Sequence, residues 1–365
     1  MSNGKKVIVA MSGGVDSSVA CLLLQNQGYE VIGVTMKLYD LDTSNLPANY
    51  QGCCTVDDVE DARKVCGILG IPHYVFNVQK EFQEHVIDYF CNEYQKARTP
   101  HPCIACNDKI KFNFLRHRAL LLGADYVATG HYARIEEYNG QYLLKKGLDE
   151  SKDQSYVLFG MGQSELSTTL MPCGFYDKSA IRQFAIEREF PNAEKADSQD
   201  ICFIPFGDYK EFLKTKIEST PGEIIDLQGN VLSTHKGIEF FTIGQRRGLG
   251  IASEDPLYVV DIDIEKHRVV VGPDSALFKD SLVASGVNFT SDVFKDFPQA
   301  VTVKIRYKAE ETSAKIVSMQ SNEAIIQFDV AQRAITPGQA VVFYKDDVLV
   351  GGGVIDRSLD TVAVQ

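Results

Sequence analysis

The chain has 365 residues and a formal net charge of −12, and it is long enough to form two or three hydrophobic cores. Its hydrophobic fraction of 44% and charged fraction of 24% are typical of a soluble globular protein, and no apolar run approaches the length of a membrane span. Because the net charge is negative, the molecule as a whole would repel nucleic acid, and such a partner would need local basic patches.

The cysteine content and the N-terminus predict the cellular compartment. The chain has nine cysteines, and it begins with MSNGKK, which has neither the hydrophobic stretch of a signal peptide nor the arginines of a transit peptide. We therefore expect reduced thiols in the cytoplasm and no membrane association. Any disulfide in such a protein is expected to be transient and catalytic.

The most informative stretch lies near the start, where residues 5–18 read KKVIVAMSGGVDSS. An apolar run predicts a strand, two glycines predict a turn, and Asp16 opens a helical pattern. Glycines let a phosphate approach the backbone, and the first amides of the helix would point at its oxygens. Three serines add hydroxyl donors, and Asp16 is predicted to cap the helix and to orient a Mg²⁺ ion held by the phosphates. The pattern favours phosphate binding over an ordinary turn, although it is neither a Walker loop nor GxGxxG.

The first 130 residues alternate between strand and helix patterns. Strands are predicted at 7–10, 30–36, 73–78 and 125–129, and helices at 16–27, 56–69, 81–98 and 109–122. This alternation predicts a parallel sheet with right-handed crossovers, in which ligands bind at the carboxyl ends of the strands. The glycine loop, Met36 and Gly130-His131 all fall at such ends, and we expect them to share one site.

The pattern changes after the fourth strand. Residues 133–146 predict a β-hairpin around Asn139-Gly140, and helical patterns return at 154–160 and 178–189. Beyond Cys202, short alternating strands and turn signals predict two small β units, the last of them a barrel. The expected fold is α/β. We predict a parallel-sheet domain over 1–206, a small β-rich central domain over 207–281 and a C-terminal β-barrel over 282–365.

A second informative stretch, TPHPCIACN at residues 99–107, contains two cysteines three positions apart. Its prolines fix the backbone ahead of Cys103, and the next helix is predicted to begin near Asn107. Cys106 would then lie just before a helix N-terminus, where the dipole and nearby Lys109 would favour the thiolate. A structural zinc half-site would need further ligands, and no second CxxC exists. A thioredoxin-type redox pair and two unreactive thiols would also fit this spacing, and the rigid, polar loop favours reactive chemistry.

The remaining cysteines carry less information. Cys202 lies in DSQDICFI, where its position fits a buried strand cysteine as well as a reactive one. Cys21 and Cys66 lie on apolar helix faces and are predicted to be core residues. No role is predicted for the last four, which are Cys53, Cys54, Cys91 and Cys173.

The loop SGGVDSS resembles the pyrophosphatase loop (PP-loop) of enzymes that adenylate a carbonyl or amide oxygen and release pyrophosphate. Further segments follow it in order, namely TPHPCIACNDKIKF, TGHYAR, KDQSYVL, DSQDICFIP, IGQRRGLG, KIRY and TPGQAVVFY. Together they resemble, nearly end to end, the tRNA-specific 2-thiouridylases, bacterial enzymes that thiolate the wobble uridine of tRNA. The resemblance implies an adenine nucleotide alpha hydrolase-like first domain, with ATP and Mg²⁺ as cofactors. It also implies two partners: the tRNA anticodon stem–loop and a protein persulfide donor, either a sulfur carrier or a cysteine desulfurase.

The resemblance also implies roles for individual residues. Cys106 stands where the family has its nucleophile and Cys202 where it carries the persulfide, and these two can close a disulfide after sulfur transfer. ATP binding is implied for Ala10, Met11, Ser12, Gly13, Gly14, Val15, Asp16, Ser17, Met36 and Gly130. Contact with the tRNA or its target base is implied for His101, Pro102, Cys103, His131, Lys152, Asp153, Gln154, Arg306, Tyr307 and Gln339.

One position departs from the family pattern. Many members have an Asp, a proposed general base, where this chain has Cys103, so another group or a water would have to move that proton. The departure leaves Cys103, Cys106 and Cys202 as three candidate thiolates, which is the ligand set of a [4Fe–4S] cluster with one open iron. Such a cluster is the alternative to the two-cysteine scheme.

Three groups of basic residues are candidates for RNA contacts, although each also fits a solvated surface. They are the basic residues of 109–118, Arg246-Arg247 in a Gly-rich turn, and Lys304, Arg306 and Lys308, which are predicted to alternate on one strand face. Two further functions compete with tRNA thiolation. One is an amide-forming PP-loop ligase, which would have no use for Cys106 and Cys202, and the second is a non-catalytic nucleotide sensor.

Overall fold

A computed structural model describes residues 3–39, 56–197, 201–204, 207–294, 296–320 and 322–359. The chain divides into two compact units. The first contains Met1–Ile87, Pro102–Asp208 and Asp347–Val350, and the second contains Asp88–His101, Tyr209–Asp346 and Gly351–Gln365. Within the described part of the chain, no helix combines the length and apolar character needed to cross a membrane. Cys53 and Cys54 lie outside the described residues.

Helices and strands alternate in the first half of the chain, and strands dominate the second half. The helices are α1 (Val15–Asn26), α2 (Val56–Leu69), α3 (Gln79–Phe82), α4 (Asp88–Gln95), α5 (Pro102–Ala105), α6 (Arg116–Leu121), α7 (Gln163–Leu166), α8 (Lys178–Glu187) and α9 (Tyr209–Lys214). The strands are β1 (Lys6–Ala10), β2 (Glu30–Lys37), β3 (His73–Asn77), β4 (Tyr126–Ala128), β5 (Ala133–Tyr138), β6 (Gln141–Lys146), β7 (Thr169–Leu170), β8 (Gly222–Ile225), β9 (Val231–His235), β10 (Tyr258–Asp263), β11 (Arg268–Gly272), β12 (Phe278–Phe289), β13 (Gln299–Lys304), β14 (Thr312–Gln320), β15 (Glu323–Arg333), β16 (Ala340–Lys345) and β17 (Val348–Leu359).

The first unit is built on the predicted parallel sheet. Its five strands have the order β3-β2-β1-β4-β7, and every pair in it is parallel. The apolar run that predicted β1 becomes its central strand, in which Val7 and Val9 are completely buried. Cys21 and Cys66 lie in the hydrophobic core of this unit, as predicted. Because the strands are parallel, their carboxyl ends lie along one edge of the sheet, and the glycine loop follows the end of β1.

The helix boundaries differ from the predictions in two places. The helix predicted at 81–98 occupies residues 79–95, where a π-helical turn, Gln83–Ile87, separates α3 from α4. The helix predicted to begin near Asn107 begins at Pro102 and continues through a π-helical stretch, Cys106–Leu115, into α6. Proline is well suited to the first position of a helix, because that position needs no amide hydrogen and proline already has a helical φ.

The hairpin β5–β6 is confirmed at the predicted residues. Tyr138 pairs with Gln141, and Asn139 and Gly140 both have positive φ values, 50° and 77°, as a tight hairpin turn requires. The edge of this hairpin also pairs with the first residue of β17, Val348. The helical pattern at 154–160 forms only a short 3₁₀ turn, Ser155–Leu158, whereas the pattern at 178–189 forms α8.

The second unit contains the two predicted β structures. Strands β8 to β11 form a four-stranded sheet in the order β10-β11-β8-β9. Strands β12 to β17 form a six-stranded barrel in the order β12-β15-β14-β13-β16-β17, and pairing between β12 and β17 closes it. The predicted fold class, a parallel-sheet domain followed by small β structures that end in a barrel, is confirmed. Closure leaves no strand of the barrel as an open edge.

Candidate active site

The glycine loop joins β1 to α1 in a conformation that one of its positions reserves for glycine. Gly13 has a φ of +76°, and a Cβ there would lie 2.5 Å from the backbone oxygen of Asp58. Gly14 is the N-cap of α1, and no side chain caps that helix end. The first amides of an α-helix have no acceptor within the helix, so the loop presents donors to an anion. The predicted capping role of Asp16 is wrong.

Two serine hydroxyls and one asparagine hold the loop in place. Ser17 Oγ and Ser18 Oγ each donate to the carbonyl oxygen of Gly14 at 3.1 Å. The amide of Asn192 donates to the carbonyl oxygen of Gly13 and to Ser18 Oγ, both at 2.9 Å. The oxygen of the same amide, Asn192 Oδ1, is buried and accepts no hydrogen bond within the described residues. Asn192 is therefore a supporting residue that no sequence motif indicated.

Asp16 leaves the helix end uncapped because its carboxylate is bound elsewhere. The ammonium group of Lys178 lies 2.7 Å from Asp16 Oδ1 and 2.9 Å from Oδ2, and the hydroxyl of Tyr132 donates to Oδ1 at 2.7 Å. Desolvation and the neighbouring Asp16 carboxylate raise the pKa of the Tyr132 phenol, which keeps it protonated as a donor. Asp16 thus already has two donors that fix its side chain.

Lys178 also connects the loop with Asp197, which lies five positions before Cys202 in the sequence. Asp197 Oδ1 lies 2.8 Å from the Lys178 ammonium and 3.1 Å from the Arg182 guanidinium, and Asp197 Oδ2 lies 2.9 Å from Lys152. Desolvation acts to raise the pKa of Asp197, but the hydrogen bonds from Lys178 and Lys152 outweigh it and lower that pKa to about 2. Asp197 is accordingly ionised at neutral pH.

The other residues expected to bind nucleotide surround the loop. A Cβ at Gly130 would lie 2.7 Å from the backbone of Asp16 and Ser17, so the turn after β4 packs directly against the start of α1. Met36 is buried near the end of β2, the strand beside β1. The structure therefore brings the turn after β4 against residues 10–17 at the carboxyl edge of the sheet, with Met36 at the end of the neighbouring strand.

The two cysteines of the CxxC pair occupy different environments. Cys103 lies in the first turn of the helix that begins at Pro102 and is exposed, whereas Cys106 is the fifth helical residue and only 9% exposed. The prediction that Cys106 lies just before a helix N-terminus is wrong. Because the helix dipole acts mainly within the first turn, the argument made for Cys106 applies to Cys103 instead.

Cys202 is half-buried, and aromatic residues hold its backbone. The Tyr39 hydroxyl donates to the carbonyl oxygen of Cys202, and the Tyr39 and Phe203 rings each lie 5.8 Å from the Phe82 ring. Phe82 is the last residue of α3, and α3 also packs against the π-helical stretch that begins at Cys106. Both cysteine segments thus contact the same short helix. No disulfide joins the seven cysteines that the structure describes.

The thiols do not form a metal site in this conformation. Among the described residues, no group of three His, Cys, Asp or Glu side chains is placed to hold a metal ion. Cys103, Cys106 and Cys202 therefore do not present the joint thiolate set that a [4Fe–4S] cluster would need. Mg²⁺ would likewise need the nucleotide phosphates as most of its ligands, with Asp16 as a carboxylate ligand at the loop.

Six of the residues expected to contact tRNA or its target base lie in the first unit. Two of them, Pro102 and Cys103, belong to the helix described above, and three of the other four support the backbone or are buried. Gln154 Oε1 accepts from the amide of Tyr132, and Asp153 accepts from the amides of Gly147 and Ser155. The remaining two are His131 and Lys152. His131 is buried against Thr129, and burial holds its pKa well below the usual value, whereas Lys152 is more exposed and is paired with Asp197.

Three of the four expected tRNA contacts of the second unit gather around residues 99–101. The rings of His101 and Tyr307 lie 6.0 Å apart edge to face, and Gln339 Nε2 donates to the carbonyl oxygen of Thr99 at 2.7 Å. Arg306 donates to the carbonyl oxygens of residues 333 and 334. The prediction that Lys304, Arg306 and Lys308 alternate on one strand is wrong, because β13 ends at 304 and a turn follows.

One half-buried carboxylate, two positions after Cys106 in the sequence, was also missed. Asp108 packs against Gly160, where a Cβ would lie 2.3 Å from Asp108 Oδ1. Burial raises the pKa of Asp108 to about 6, with a further contribution from Glu165 and an opposing one from Lys109. No local signal marks it, because a carboxylate on a helix usually faces solvent.

Known proteins match this chain along nearly its whole length. Three family models match in order: the tRNA methyl transferase HUP domain over residues 5–206, the tRNA methyl transferase PRC-barrel domain over 210–273 and the aminomethyltransferase beta-barrel domain over 279–355. The tRNA-specific 2-thiouridylase MnmA of Halothermothrix orenii is 50% identical over 97% of this chain and 99% of its own length. The tRNA-specific 2-thiouridylase MnmA 2 of Clostridium botulinum (strain Okra / Type B1) is 49% identical over the same shares.

Similarity to solved structures is much weaker. A 4-thiouridine synthetase–RNA complex with bound ATP matches with 19% identity and a TM-score of 0.32, over 58% of this chain and 50% of that one. A likeness this remote supports no argument about function. The full-length identity to the two relatives does decide the family, and it confirms the resemblance found in the sequence. The chain belongs to the tRNA-specific 2-thiouridylase family of tRNA sulfurtransferases.

Proposed function

We propose that this protein uses ATP to replace the C2 oxygen of the wobble uridine of tRNA with sulfur. The observation that carries the proposal is the 50% identity, over 97% of the chain, to a relative named as a tRNA-specific 2-thiouridylase. The glycine loop adds physical support, because its backbone is shaped to receive phosphate oxygens. The C2 oxygen of uracil is a poor leaving group, which explains why the reaction needs ATP.

In the first step, the uracil C2 oxygen attacks the α-phosphorus of ATP and pyrophosphate leaves. The target base is splayed out of the anticodon loop, as single-stranded RNA permits. Residues 10–17 bind the phosphates through backbone amides and serine hydroxyls, and they stabilise the negative charge that develops. Met36 and Gly130 line the adenosine. Mg²⁺ bound with the phosphates would neutralise further charge, and Asp16 would orient it.

In the second step, sulfur from a persulfide on Cys202 replaces the activated oxygen. The outer sulfur attacks C2, and AMP departs with the oxygen. The Cys106 thiolate then attacks Cys202 Sγ and breaks the sulfur–sulfur bond, so the electron pair stays on the transferred sulfur. The products are 2-thiouridine and a Cys106–Cys202 disulfide, which a dithiol reductant returns to two thiols. A sulfur-carrier protein or a cysteine desulfurase would supply the next persulfide.

The expected tRNA contacts and domain limits complete the proposal. The partly exposed ammonium of Lys152 is suited to a phosphate contact, and in the second unit His101, Tyr307 and Gln339 gather around residues 99–101. We propose that the chain divides near residues 207 and 282. The family models meet between 206 and 210, which supports the first limit, and between 273 and 279, a few residues before the second. The cytoplasmic location stays a prediction.

Mass spectrometry of tRNA nucleosides tests the function directly. The purified protein would be incubated with unmodified tRNA, ATP, Mg²⁺ and a persulfide source, and the tRNA would then be digested to nucleosides. We expect 2-thiouridine to form only when ATP is present, together with AMP and pyrophosphate. If ATP is cleaved to AMP and no thiolated nucleoside forms, the protein is another PP-loop enzyme. If ATP binds and is never cleaved, it is a nucleotide sensor.

A further inference from the structure

Lys178 occupies a position that helix electrostatics disfavours. It is the first residue of α8, directly after the N-cap Asp177. The N-terminus of a helix carries partial positive charge and favours acidic side chains, so a lysine there is destabilising by itself. The Lys178 side chain is nevertheless only 11% exposed. A buried cation at the positive end of a helix indicates that nearby negative groups determine its position.

Those negative groups are Asp16 and Asp197. The ammonium of Lys178 lies 2.7 and 2.9 Å from the two oxygens of Asp16 and 2.8 Å from Asp197 Oδ1. A lysine ammonium has three hydrogens, so all three are directed at carboxylate oxygens. The ring of Tyr132 lies 5.6 Å from the same nitrogen and restricts it further. The ammonium of Lys178 is thus held beside the start of α1 by Asp16 and Asp197, which lie on two segments other than α8.

The charges around Lys178 are closely paired, and two further carboxylates, Asp149 and Asp177, lie beside its backbone. Three cations, Lys178, Lys152 and Arg182, surround the two carboxylates of Asp16 and Asp197. The Lys178 ammonium and the partial positive charge of the α1 N-terminus both favour an anion at the loop. Asp16 is the second residue of α1, so the ammonium that touches it lies within one helical turn of the amides that face the loop.

We propose that Lys178 is the phosphate-binding cation of the nucleotide site, and that Asp16 and Asp197 hold it in position until ATP binds. The proposal rests on the function proposed above. When a triphosphate enters, the ammonium keeps Asp197 and exchanges an oxygen of Asp16 for a phosphate oxygen. Asp16 retains the Tyr132 hydroxyl, and its carboxylate would be available to a Mg²⁺ ion bound with the phosphates. The lysine would thus neutralise charge on the phosphates, including the pyrophosphate as it leaves.

Binding measurements on the full chain test this role without depending on sulfur chemistry. Isothermal titration with ATP and Mg²⁺ would be compared for wild type, Lys178→Met and Lys178→Arg. We expect Lys178→Met to weaken ATP binding about tenfold, because a charge-assisted contact is lost, and Lys178→Arg to restore most of the loss. Adenosine has no phosphates, so its affinity should be equal in all three proteins. In turnover assays the KM for ATP should rise more than kcat falls.

A matched control and a second variant separate this role from a structural one. Lys145 also pairs with two carboxylates, Glu136 and Asp347, but it contacts neither Asp16 nor Asp197, so Lys145→Met should leave ATP binding unchanged. Should Lys178→Met fail to fold, Lys178→Gln, which retains hydrogen-bonding capacity, takes its place. Wild-type affinity for ATP in the lysine variants would overturn the proposal, and so would an equal loss of adenosine binding. A wild-type protein that binds no ATP would overturn the proposed function itself.

Discussion

The glycine loop and the Cys103–Cys106 helix each contain a short motif that suggests chemistry, but only the motif of the loop predicts its local structure correctly. The loop has the predicted conformation because its own residues require it: Gly13 adopts a positive φ, and Gly14 leaves the helix end open. The cysteine helix begins five residues earlier than predicted, and this shift exchanges the environments of its two thiols. One motif acts through the backbone, whereas the other depends on where a helix begins.

The difference shows which chemistry a short motif can specify by itself. Anion binding by backbone amides needs only a local conformation, and glycine spacing encodes that conformation. Thiol reactivity depends on burial and on distant partners, and a CxxC spacing encodes neither. The loop should therefore respond to changes in backbone freedom, and the thiols should respond to changes in chemistry that leave the backbone intact.

The largest effect is expected from the cysteines. Replacement of Cys106 or Cys202 by Ser should abolish thiolation, because either change removes a sulfur that the two-cysteine scheme requires. ATP affinity should stay at the wild-type value in both variants, since neither residue belongs to the loop. Nucleoside mass spectrometry and titration calorimetry measure the two outcomes separately. Full sulfur incorporation by either variant would refute the scheme.

Cys103→Ser is the matched control, because Cys103 lies in the same helix and is exposed. In the two-cysteine scheme this variant keeps the ability to thiolate. Loss of thiolation in all three variants, together with iron and sulfide in anaerobically purified protein, would instead support the iron–sulfur alternative. That outcome would require Cys103, Cys106 and Cys202 to come together in a conformation other than the one described.

A smaller but still large effect is expected from the first loop glycine. Gly13→Ala forces a positive φ on a residue with a Cβ and drives that atom into the backbone of Asp58, and we expect ATP affinity to fall on the order of 100-fold. Gly14→Ala is the control, because Gly14 has a φ of −84° and a Cβ there would lie 3.4 Å from Ser12 Oγ, so we expect a change below about threefold. Calorimetry with ATP measures both, and equal losses would show that backbone strain is not what shapes the loop.

The parts of the fold that could be predicted are those with local signals. The parallel sheet followed from apolar runs that alternate with helical patterns, and the hairpin followed from Asn139-Gly140, whose positive φ values are observed. The helix start was misplaced because Pro102 was interpreted as part of a rigid loop, although proline is also favoured at the first helical position. Proline is thus compatible with both a rigid loop and a helix start, and its local sequence does not decide between them.

The supporting residues of the candidate site could not be predicted, because their partners are distant in sequence. Lys178 reaches Asp16 across 162 positions, and Asn192 reaches Gly13 across 179. Neither residue belongs to a motif, although Lys178 opens the helical pattern predicted at 178–189. A lysine at the start of a helix was the one available signal, since it contradicts the preference for acidic residues there. A residue that contradicts a local preference in this way marks a position where contacts with distant residues determine the residue type.

The smallest effect is expected on stability. It concerns Asp108, and it distinguishes a carboxylate that only destabilises the fold from one that takes part in the reaction. Burial raises the pKa of Asp108 to about 6, above its value in the unfolded chain. The folded state therefore binds the proton more tightly, so the stability that protonation provides is present below about pH 4 and is lost as the pH rises through 6. Asp108→Asn is neutral at every pH. We expect it to raise the free energy of unfolding by about 1–3 kcal/mol at pH 8 and to leave it nearly unchanged at pH 4.

Urea denaturation at the two pH values measures the difference, and Glu137→Gln is the control, because Glu137 is exposed and should show little change at either pH. An increase in the free energy of unfolding that is confined to pH 8 would show that the ionised carboxylate destabilises the folded state. Equal destabilisation at both values would mean instead that the carboxyl group makes a contact that an amide cannot replace. Thiolation by Asp108→Asn can then be compared with its stability. A variant that is more stable but inactive would indicate that the Asp108 carboxylate takes part in the proposed reaction.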